Sequence, residues 1–321
     1  MPVALVTGAS GQDGSYLLDR LLNEGYTVCA VVRSADAVAL EERGDQIARV
    51  EADLLDTDAL RRAILEVEPD EIYHLAGVSS VAQSWREPEL TAQVTGLASL
   101  TLLEAAFDLA ERRGGSRPVR FLQASSAEIF GEPAEAPQNE GTPVRPVSPY
   151  GAAKAFAHHC VGVYRGRGLF ASSAILYNHE SPRRPASFVT RKITQAVARI
   201  ADQGLGELAL GNLAAERDWG WAPDYVDAMM RACRAADPLD VVVATGQAHS
   251  VEDFVRTAFD RVGISDWQRH VRVDPAFFRP ADPTTLVGDP SLAQTALGWQ
   301  PTVGFTEIVG RMVDADVARR R

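Results

Sequence analysis

The sequence predicts an α/β protein built on a doubly wound parallel sheet, and three observations support this fold class. Strand-like and helical patterns alternate over residues 1–180. Gly8, Gly11 and Gly14 lie between the first apolar run and the first helical pattern. Tyr150 and Lys154 stand four positions apart within a later helical pattern. Together these features indicate a dinucleotide-binding fold that carries an acid–base pair.

The first strand is predicted over the apolar run from Pro2 to Thr7, and the second over Thr27 to Val32. Helical apolar spacing from Ser15 to Asn23 predicts the helix between them, so the glycines fall at a strand-to-helix turn. Glycine there lets the backbone approach a pyrophosphate, whose charge the helix N-terminus stabilises. The G-x-x-G-x-x-G spacing is typical of short-chain dehydrogenases, although three close glycines also occur in ordinary turns.

Arg33 follows the second strand, 19 residues after Gly14. An acidic residue near this point would bind the ribose 2′-hydroxyl of NAD, whereas an arginine accommodates the 2′-phosphate of NADP. The sequence therefore favours NADP and leaves NAD possible. A solvated arginine at a strand end is the alternative interpretation.

The following elements continue the alternation of strands and helices. Strands are predicted over Ile47 to Glu51, Glu71 to Ala76, Arg120 to Ser125 and Phe170 to Leu176, with helices over Asp58 to Val67, Leu90 to Arg113 and Ser148 to Arg165. Parallel strands bind ligands at their carboxyl ends. Ser126 and Glu128 follow one of these strands, and Asn178 and His179 follow another. We therefore expect these four side chains at one cleft.

Tyr150 and Lys154 are the strongest candidates for catalysis. Their spacing places both side chains on one face of a helix, one turn apart. A lysine ammonium beside a phenol favours the phenolate, so we expect Tyr150 to act as a base near neutral pH. Glu128, 22 residues upstream, would supply a second acid or base and favours more than a simple dehydrogenation. A chance helical pair is the alternative for the Tyr-x-x-x-Lys spacing taken alone.

Beyond residue 180 the pattern becomes irregular, which predicts a smaller α/β lobe over residues 181–321 that closes over the dinucleotide-binding domain of residues 1–180. Short strands are expected at Glu207 to Leu210 and Val241 to Ala244, and helices at Phe188 to Gln203 and Val251 to Val262. We expect the two lobes to interleave.

The smaller lobe carries basic side chains in three segments, represented by Arg184 with Lys192, by Arg217 and by Arg279. Arginines in turns rich in glycine and proline suit bidentate binding of a diphosphate. Each one taken singly also fits a surface residue or a pair with a neighbouring acid. A dinucleotide site with a second diphosphate site predicts a nucleotide-linked substrate.

Composition limits the classes of partner. The chain has 321 residues, 46% hydrophobic and 23% charged, as expected of a globular protein. Its net charge of −11 argues against nucleic-acid and anionic-membrane partners. No signal peptide is apparent and no apolar run is expected to span a membrane, so we expect a cytoplasmic location. Cys29, Cys160 and Cys233 are scattered, which indicates reduced core residues and neither disulfides nor a metal site.

Several segments together resemble the GDP-mannose 4,6-dehydratase family of extended short-chain dehydrogenases/reductases. The resemblance runs from residue 3 to residue 318. Its most specific segment is Asn-His-Glu-Ser-Pro-Arg-Arg, which starts at Asn178. The others are the glycine loop through Leu17, Ser-Ser-Ala-Glu ending at Glu128, Ser-Pro-Tyr-Gly-Ala-Ala-Lys ending at Lys154, Phe-Val-Thr-Arg-Lys-Ile from Phe188, and Arg-Asp-Trp-Gly from Arg217.

The resemblance implies roles for individual residues. Catalytic roles fall on Ser126, Glu128, Tyr150 and Lys154. Implied NADP-binding positions are Gly8, Ser10, Gly11, Gln12, Asp13, Gly14, Arg33, Asp53, Leu54, Leu75, Ala76, Gly77, Ser79, Tyr150, Lys154, His179 and Arg184. Implied positions for the GDP-linked sugar are Ser79, Ser126, Glu128, Asn178, Lys192, Arg217 and Arg279.

The implied reaction is conversion of GDP-mannose to GDP-4-keto-6-deoxymannose by internal hydride transfer through NADP. A GDP-sugar reductase or epimerase of the same fold would use Tyr150 and Lys154 without needing Glu128. A dehydratase for a related GDP-manno-configured sugar is a further alternative. From another class, a dinucleotide-sensing regulator without catalysis is disfavoured by the intact set of Tyr150, Lys154 and Glu128.

The sequence departs from the family pattern at three places. Ser126 stands where the family has threonine, and it keeps the hydroxyl but loses the methyl group that fixes the rotamer. After Arg33 a second arginine is missing, and the segment to Asp53 is shorter than in the family, where it helps to build a tetramer. Phe278-Arg279-Pro280-Ala281-Asp282 replaces Tyr-Arg-Pro-x-Glu, which alters an implied ribose contact.

The shortened segment predicts a homodimer, with a tetramer possible. The helices over Leu90 to Arg113 and Ser148 to Arg165 would pair with those of a second subunit in a four-helix bundle. Leu100, Leu103, Phe107 and Ala110 give the first helix an apolar stripe. Packing of this stripe on the subunit's own sheet is the alternative.

Overall fold

A seven-stranded parallel sheet forms the centre of the molecule in the computed structural model, which describes residues 1–33, 40, 44, 46–278 and 285–320. The strands, in chain order, are β1 Val3–Thr7, β2 Thr27–Val32, β3 Ile47–Glu51, β4 Glu71–His74, β5 Arg120–Ser126, β6 Phe170–Leu176, β7 Asn178–Glu180, β8 Leu208–Leu210, β9 Glu216–Trp221, β10 Asp240–Val243, β11 Ala248–Ser250, β12 Val271–Val273 and β13 Thr285–Leu286. The large sheet has the order β10-β6-β5-β4-β1-β2-β3. Its strands β1 and β2 are almost entirely apolar because they are buried on both faces.

Helices cover both faces of this sheet, which confirms the predicted doubly wound fold. They are α1 Gln12–Asn23, α2 Thr57–Val67, α3 Val81–Arg86, α4 Pro88–Arg113, α5 Pro149–Gly166, α6 Val189–Gln203, α7 Ala222–Cys233, α8 Val251–Arg261, α9 Ser291–Leu297 and α10 Phe305–Ala318. Leu17 of α1 and Met229 of α7 are buried in the core on one face. Leu60 of α2 and Leu102 of α4 are buried in the core on the other.

The smaller lobe has its own core. A four-stranded sheet contains β11, β9 and β13, with β7 also paired to β9, and β8 pairs with β12. Helices α6, α8 and α10 bury Ile193, Phe254 and Met312 in one cluster against these strands. The domain boundary at residue 180 stays a prediction.

One strand lies in a different sheet from the predicted one. The sequence analysis placed the run from Val241 to Ala244 in the smaller lobe, and that prediction is wrong. In the structure β10 pairs in parallel with β6 and forms an edge of the large sheet. Its Val-Val-Val run is fully buried, so it needs cover on both faces, which the large sheet provides and a small two-stranded sheet does not. The chain thus returns from the smaller lobe to the large sheet.

Helix α4 also corrects an expectation. Its 26 residues are long and apolar enough to span a membrane by length and composition, whereas no such run was expected. Within its most apolar window, 56% of the residues are buried inside the fold, as in a core helix. The π-helical turn at Ala92–Leu97 interrupts its regular α-helical geometry.

Candidate active site

The glycine-rich loop follows β1 and packs where side chains would not fit. Gly8 has a φ of 71°, and a Cβ added there would lie 2.8 Å from the Ala76 nitrogen. A Cβ on Gly14 would lie 2.2 Å from the Gly8 carbonyl oxygen, so glycine lets α1 pack directly on the strand end. The N-cap residue of α1 is Gly11, which provides no side-chain cap. The amides of the first helical turn are therefore available to an anion.

A cleft of about 490 Å³ opens at the carboxyl ends of β1, β2 and β4, beside this loop. Its wall contains most of the residues predicted to bind the cofactor, namely Gly8, Ser10, Gly11, Gln12, Asp13, Gly14, Arg33, Asp53, Leu54, Leu75, Ala76, Gly77, Ser79 and Arg184. The glycine cradle, the uncapped helix N-terminus and Arg33 at the exposed rim fit a phosphorylated dinucleotide. Residues 34–36, where a second arginine was missing, lie outside the described residues.

Other residues of the cleft wall, Val78 and Phe188 among them, were not predicted from the sequence. Val78 stands between two predicted positions, Gly77 and Ser79, so its neighbours could have indicated it. Phe188 opens a segment already quoted for the family resemblance, and its ring lies 3.7 Å from the Arg184 guanidinium carbon. Arg184 is also within 3.4 Å of the buried Glu180 carboxylate, through its Nε. This contact keeps the Arg184 guanidinium at the wall of the cleft.

Asp13, which is partly exposed at the cleft wall, pairs with the buried His179. His179 Nε2 lies 2.9 Å from the Asp13 carboxylate, and the imidazole stacks on Tyr225 with ring centroids 4.6 Å apart. Burial favours a lower pKa for His179, but the charge and hydrogen bond of Asp13 outweigh it and raise that pKa. The neighbouring Gln12 donates from Nε2 to the His179 carbonyl at 3.0 Å. His179 thus contacts two residues of the glycine-rich loop in this structure. Its predicted contact with a cofactor stays a prediction.

Helix α5 brings the predicted catalytic residues together at the end of β5. Ser148 caps the helix by accepting from the Gly151 amide at 3.0 Å, and Pro149 starts it. A Cβ on Gly151 would lie 2.5 Å from the Glu128 carbonyl oxygen, so glycine allows the helix to approach the Ser126–Glu128 turn closely. Ser126 accepts a hydrogen bond from the Glu128 amide at 3.2 Å.

Tyr150 is buried, and its hydroxyl is hydrogen-bonded to Ser126. Burial raises the pKa of Tyr150 to about 12; the Ser126 hydrogen bond opposes this rise and the charge of Glu128 adds to it. Lys154 Nζ lies 5.9 Å from the Tyr150 ring centroid and donates to the Ala124 carbonyl at 2.8 Å. Burial also lowers the pKa of Lys154 to about 8, against the influence of Asp13.

The expectation that Lys154 keeps Tyr150 near its phenolate form at neutral pH stays a prediction. Both groups are buried, and burial disfavours the charged form of each. The hydrogen bond from Ser126 and the charge of Arg184 act against this effect on Tyr150 and lower its pKa.

Of the predicted sugar-binding residues, Ser79 lines the cleft, Ser126 and Glu128 lie at the end of β5, and the others that the structure describes lie on β7, β9 and α6. Asn178 pairs with Trp219 on β9, two residues from Arg217, which is buried and donates to the Glu216 carbonyl at 2.7 Å. Lys192 donates to the Ala209 carbonyl at 2.6 Å. Arg279 falls outside the described residues, so convergence of the three basic segments stays a prediction. Among the described residues, no cluster of His, Cys, Asp and Glu side chains is suited to a metal ion.

Comparisons with known proteins identify the family and agree with the fold. The profile of the GDP-mannose 4,6 dehydratase family matches residues 5–312. GDP-mannose 4,6 dehydratase 2 of Arabidopsis thaliana is 44% identical over 98% of this chain and 87% of that protein. The Homo sapiens GDP-mannose 4,6 dehydratase is 42% identical over 99% of this chain and 92% of its own length.

Solved structures support the same architecture. The UDP-glucose 4-epimerase of Thermotoga maritima with UDP-glucose superposes with a TM-score of 0.86 at 26% identity, over 99% of each chain. The UDP-glucose 4-epimerase of Thermus thermophilus in complex with NAD gives a TM-score of 0.83 at 28% identity, over 98% of each chain. The dTDP-glucose 4,6-dehydratase of Streptomyces venezuelae with NAD bound gives 0.84 at 23% identity over 99% of this chain and 98% of its own, which shows the fold alone.

Proposed function

The chain belongs to the GDP-mannose 4,6-dehydratase family, and from this premise we propose that it removes water from GDP-mannose to form GDP-4-keto-6-deoxymannose. The observation that carries the proposal is the close approach of α5 to the Ser126–Glu128 turn. It places a phenol, a hydroxyl and a carboxylate together at the end of β5. A reductase or an epimerase of this fold has no use for the carboxylate, whereas an elimination requires one.

The proposed steps follow from the residue types. Tyr150, as the phenolate, accepts the proton of the sugar 4-hydroxyl, and Ser126 donates a hydrogen bond to the same sugar oxygen. A nicotinamide cofactor held by the glycine-rich loop would supply the acceptor for the carbon-4 hydride and the donor of a hydride to carbon 6. Glu128 takes the proton from carbon 5, which the new ketone has made acidic, and gives it to the departing 6-hydroxyl as water. Tyr150 then returns its proton to carbon 5. The balance is the loss of one water, so the enzyme is a hydro-lyase that consumes no cofactor.

We infer that NADP is the preferred cofactor. The glycine-rich loop and the first turn of α1 would hold the pyrophosphate, and Arg33 at the rim of the cleft would face a 2′-phosphate. NAD lacks that phosphate and would use the same cleft with less charge pairing. A cytoplasmic location, expected from composition, stays a prediction.

A homodimer is the proposed assembly. Leu103 of the predicted stripe is fully buried, and Leu100, Phe107 and Ala110 pack partly on the subunit's own core. Outward-facing apolar side chains nevertheless remain on the same two helices, with exposures of 50% for Leu97 of α4, 43% for Phe156 and 63% for Val163 of α5. Pairing of α4 and α5 with those of a second copy would bury them in a four-helix bundle.

Incubation of the purified protein with GDP-mannose, without added cofactor, tests the proposed reaction. We expect a GDP-linked 4-keto-6-deoxy sugar, detected by mass spectrometry as the loss of one water, because copurifying cofactor is regenerated in each cycle. Protein stripped of nucleotide should lose the activity and regain it with NADP. Formation of a 4-epimer or of a fully reduced sugar would instead identify an epimerase or a reductase.

A further inference from the structure

A chain of buried polar side chains lies beneath the cleft and has no part in the mechanism above. It consists of Thr7 at the end of β1, His74 at the end of β4 and Ser99 in α4, each fully buried. Thr7 Oγ1 lies 2.7 Å from His74 Nδ1, and His74 Nε2 lies 3.0 Å from Ser99 Oγ. Ser99 Oγ donates to the Thr95 carbonyl at 2.9 Å. A buried polar side chain that loses a hydrogen-bond partner destabilises the fold, so each of these hydrogen bonds contributes to stability.

One orientation satisfies every donor and acceptor along this chain. In this orientation the Ser99 hydroxyl donates to the Thr95 carbonyl, so its oxygen accepts from His74 Nε2. His74 Nδ1 then carries no proton and accepts from the Thr7 hydroxyl. Thr7 Oγ1 in turn accepts from the Ala76 amide at 3.2 Å. The network therefore specifies the Nε2-protonated tautomer of His74.

The surroundings keep His74 neutral. Burial lowers the pKa of His74 to about 3, and the positive charge of Lys154 acts in the same direction. A doubly protonated imidazole would present a proton at Nδ1 and could no longer accept from Thr7. The orientation of the chain is therefore the same throughout the neutral pH range.

Both ends of the network hold the loop that follows β4. The Ala76 amide donates to Thr7, and the Val78 amide donates to Thr95 Oγ1 at 3.0 Å. Gly77 lies between them with a φ of 155°, and a Cβ there would lie 3.0 Å from Thr95 Oγ1. Thr95 belongs to the π-helical turn of α4, a feature often found at functional sites. Residues 75–79 line the cleft beside the glycine-rich loop, which starts just after Thr7.

We propose that His74 is a positioning residue that fixes the loop of residues 75–79 relative to the glycine-rich loop and α4, through a hydrogen-bond chain of one orientation. The width of the cofactor cleft then depends on a side chain that lines no part of it. The proposed dehydratase reaction gives this a purpose, because the reduced cofactor must stay in place between removal and return of the hydride. The structural part of the proposal does not depend on which sugar is the substrate.

Nitrogen-15 NMR of the histidines in the full-length protein tests the tautomer directly. We expect the His74 imidazole to be protonated only at Nε2 and not to titrate through the neutral range. Hydrogen exchange should show strong protection of the Ala76 and Val78 amides. An Nδ1-protonated or titrating His74 would overturn the proposal, as would rapid exchange at both amides.

Paired substitutions test the function of the chain. His74→Gln keeps a donor for Ser99 but removes the acceptor for Thr7, and Thr7→Val removes the same bond from the other side. In each variant we expect faster exchange at the Ala76 amide and roughly tenfold weaker NADP⁺ binding, the size of one lost buried hydrogen bond. Binding is measured by calorimetry without sugar, so the result is independent of the proposed reaction. If His74→Gln fails to fold, Thr7→Val carries the test alone.

Ser173→Ala is the matched control, because Ser173 is a fully buried serine of the same sheet whose hydroxyl has no hydrogen-bond partner among the described residues. It should leave NADP⁺ affinity and Ala76 exchange unchanged, whereas Ser99→Ala should weaken binding. Exchange at Ala174, in the centre of β6, reports global stability in every variant. Unchanged affinity and Ala76 exchange in folded Thr7→Val would refute the proposed role, as would equal effects in Ser99→Ala and Ser173→Ala.

Discussion

Glu128 is the residue that separates an elimination from a simple oxidation. Glu128→Gln keeps the shape of the side chain but removes the base for carbon 5, so we expect product formation to fall by a factor of about 10² to 10⁴. The first hydride transfer needs only Tyr150, Lys154 and the cofactor and should still occur. Absorbance of reduced nicotinamide should rise on addition of GDP-mannose, and solvent deuterium should no longer enter carbon 5. Full turnover in this variant would remove Glu128 from the mechanism.

Burial of the charged Lys154 side chain lowers the free energy of unfolding. Burial lowers its pKa from 10.5 to about 8, so the unfolded chain binds more protons than the folded one between these values. The free energy of unfolding therefore contains an unfavourable contribution from Lys154 below pH 8 that disappears as the pH rises to 10.5. We expect Lys154→Met to abolish activity yet to stabilise the fold at neutral pH, by at most about 3 kcal/mol.

Urea unfolding of the parent protein and of Lys154→Met at several pH values measures this effect. The stability difference between the two proteins should shrink as the pH rises through the window between the folded and unfolded pKa values of Lys154. A variant that is less stable than the parent at neutral pH would show that the hydrogen bond to Ala124 outweighs the cost of burial.

Arg33 carries the proposed preference for NADP. Arg33→Ala removes the charge at the rim of the cleft, so we expect roughly tenfold weaker binding of NADP⁺ and an unchanged affinity for NAD⁺. Fluorescence titration with each nucleotide measures the two affinities. Equal losses for both cofactors would mean that Arg33 supports the loop instead of recognising the phosphate.

At the scale of elements, the packing of α1 on β1 depends on the absence of a side chain at residue 14. Gly14→Ala would place a Cβ 2.2 Å from the Gly8 carbonyl oxygen, so α1 must move away from the strand. We expect a loss of stability of about 1 to 3 kcal/mol and no measurable NADP binding. Gly310→Ala in α10 is the control, since its added Cβ meets only ordinary contacts with Arg261. Normal binding by Gly14→Ala would show that the cradle tolerates a shifted helix.

The accuracy of the sequence predictions differed among elements for physical reasons. The bounds of β2, β3 and β6 were predicted correctly, and for β2 a local apolar run defines them. The sheet that contains β10 was not predicted correctly, since the position of β10 depends on its pairing with β6, a strand distant in the chain. The π-helical turn of α4 left no pattern in the sequence that would reveal it.

The site shows the same division. Its backbone features could be predicted because glycine spacing and strand ends are local signals, and most of the predicted cofactor residues line one cleft. The rise of the Tyr150 pKa could not be predicted, since it depends on burial that only the folded chain creates. His74 was missed as well. A histidine at the end of an apolar strand gives no sign of the two hydroxyl groups that lie on either side of it.

For the whole molecule, the outward face of α4 and α5 determines the expected assembly. Val163→Asp places a charge among side chains that would be buried between two copies, so we expect a monomer by light scattering instead of a dimer. Leu205→Asp is the control, because Leu205 is 77% exposed in the smaller lobe, away from these helices. A parent protein that scatters as a tetramer would contradict the proposed dimer, and a Val163→Asp variant that keeps the parent's mass would exclude this face.

The return of the chain to the large sheet has a consequence for synthesis on the ribosome. After β6 has emerged, its outer edge stays unpaired until β10, more than sixty residues later, becomes available. In that interval the nascent protein exposes a buried-type strand edge, which is a template for wrong pairing with other chains. Chains released early, before residue 243, would keep this open edge permanently. Premature termination between β6 and β10 should therefore give aggregates and not a folded fragment.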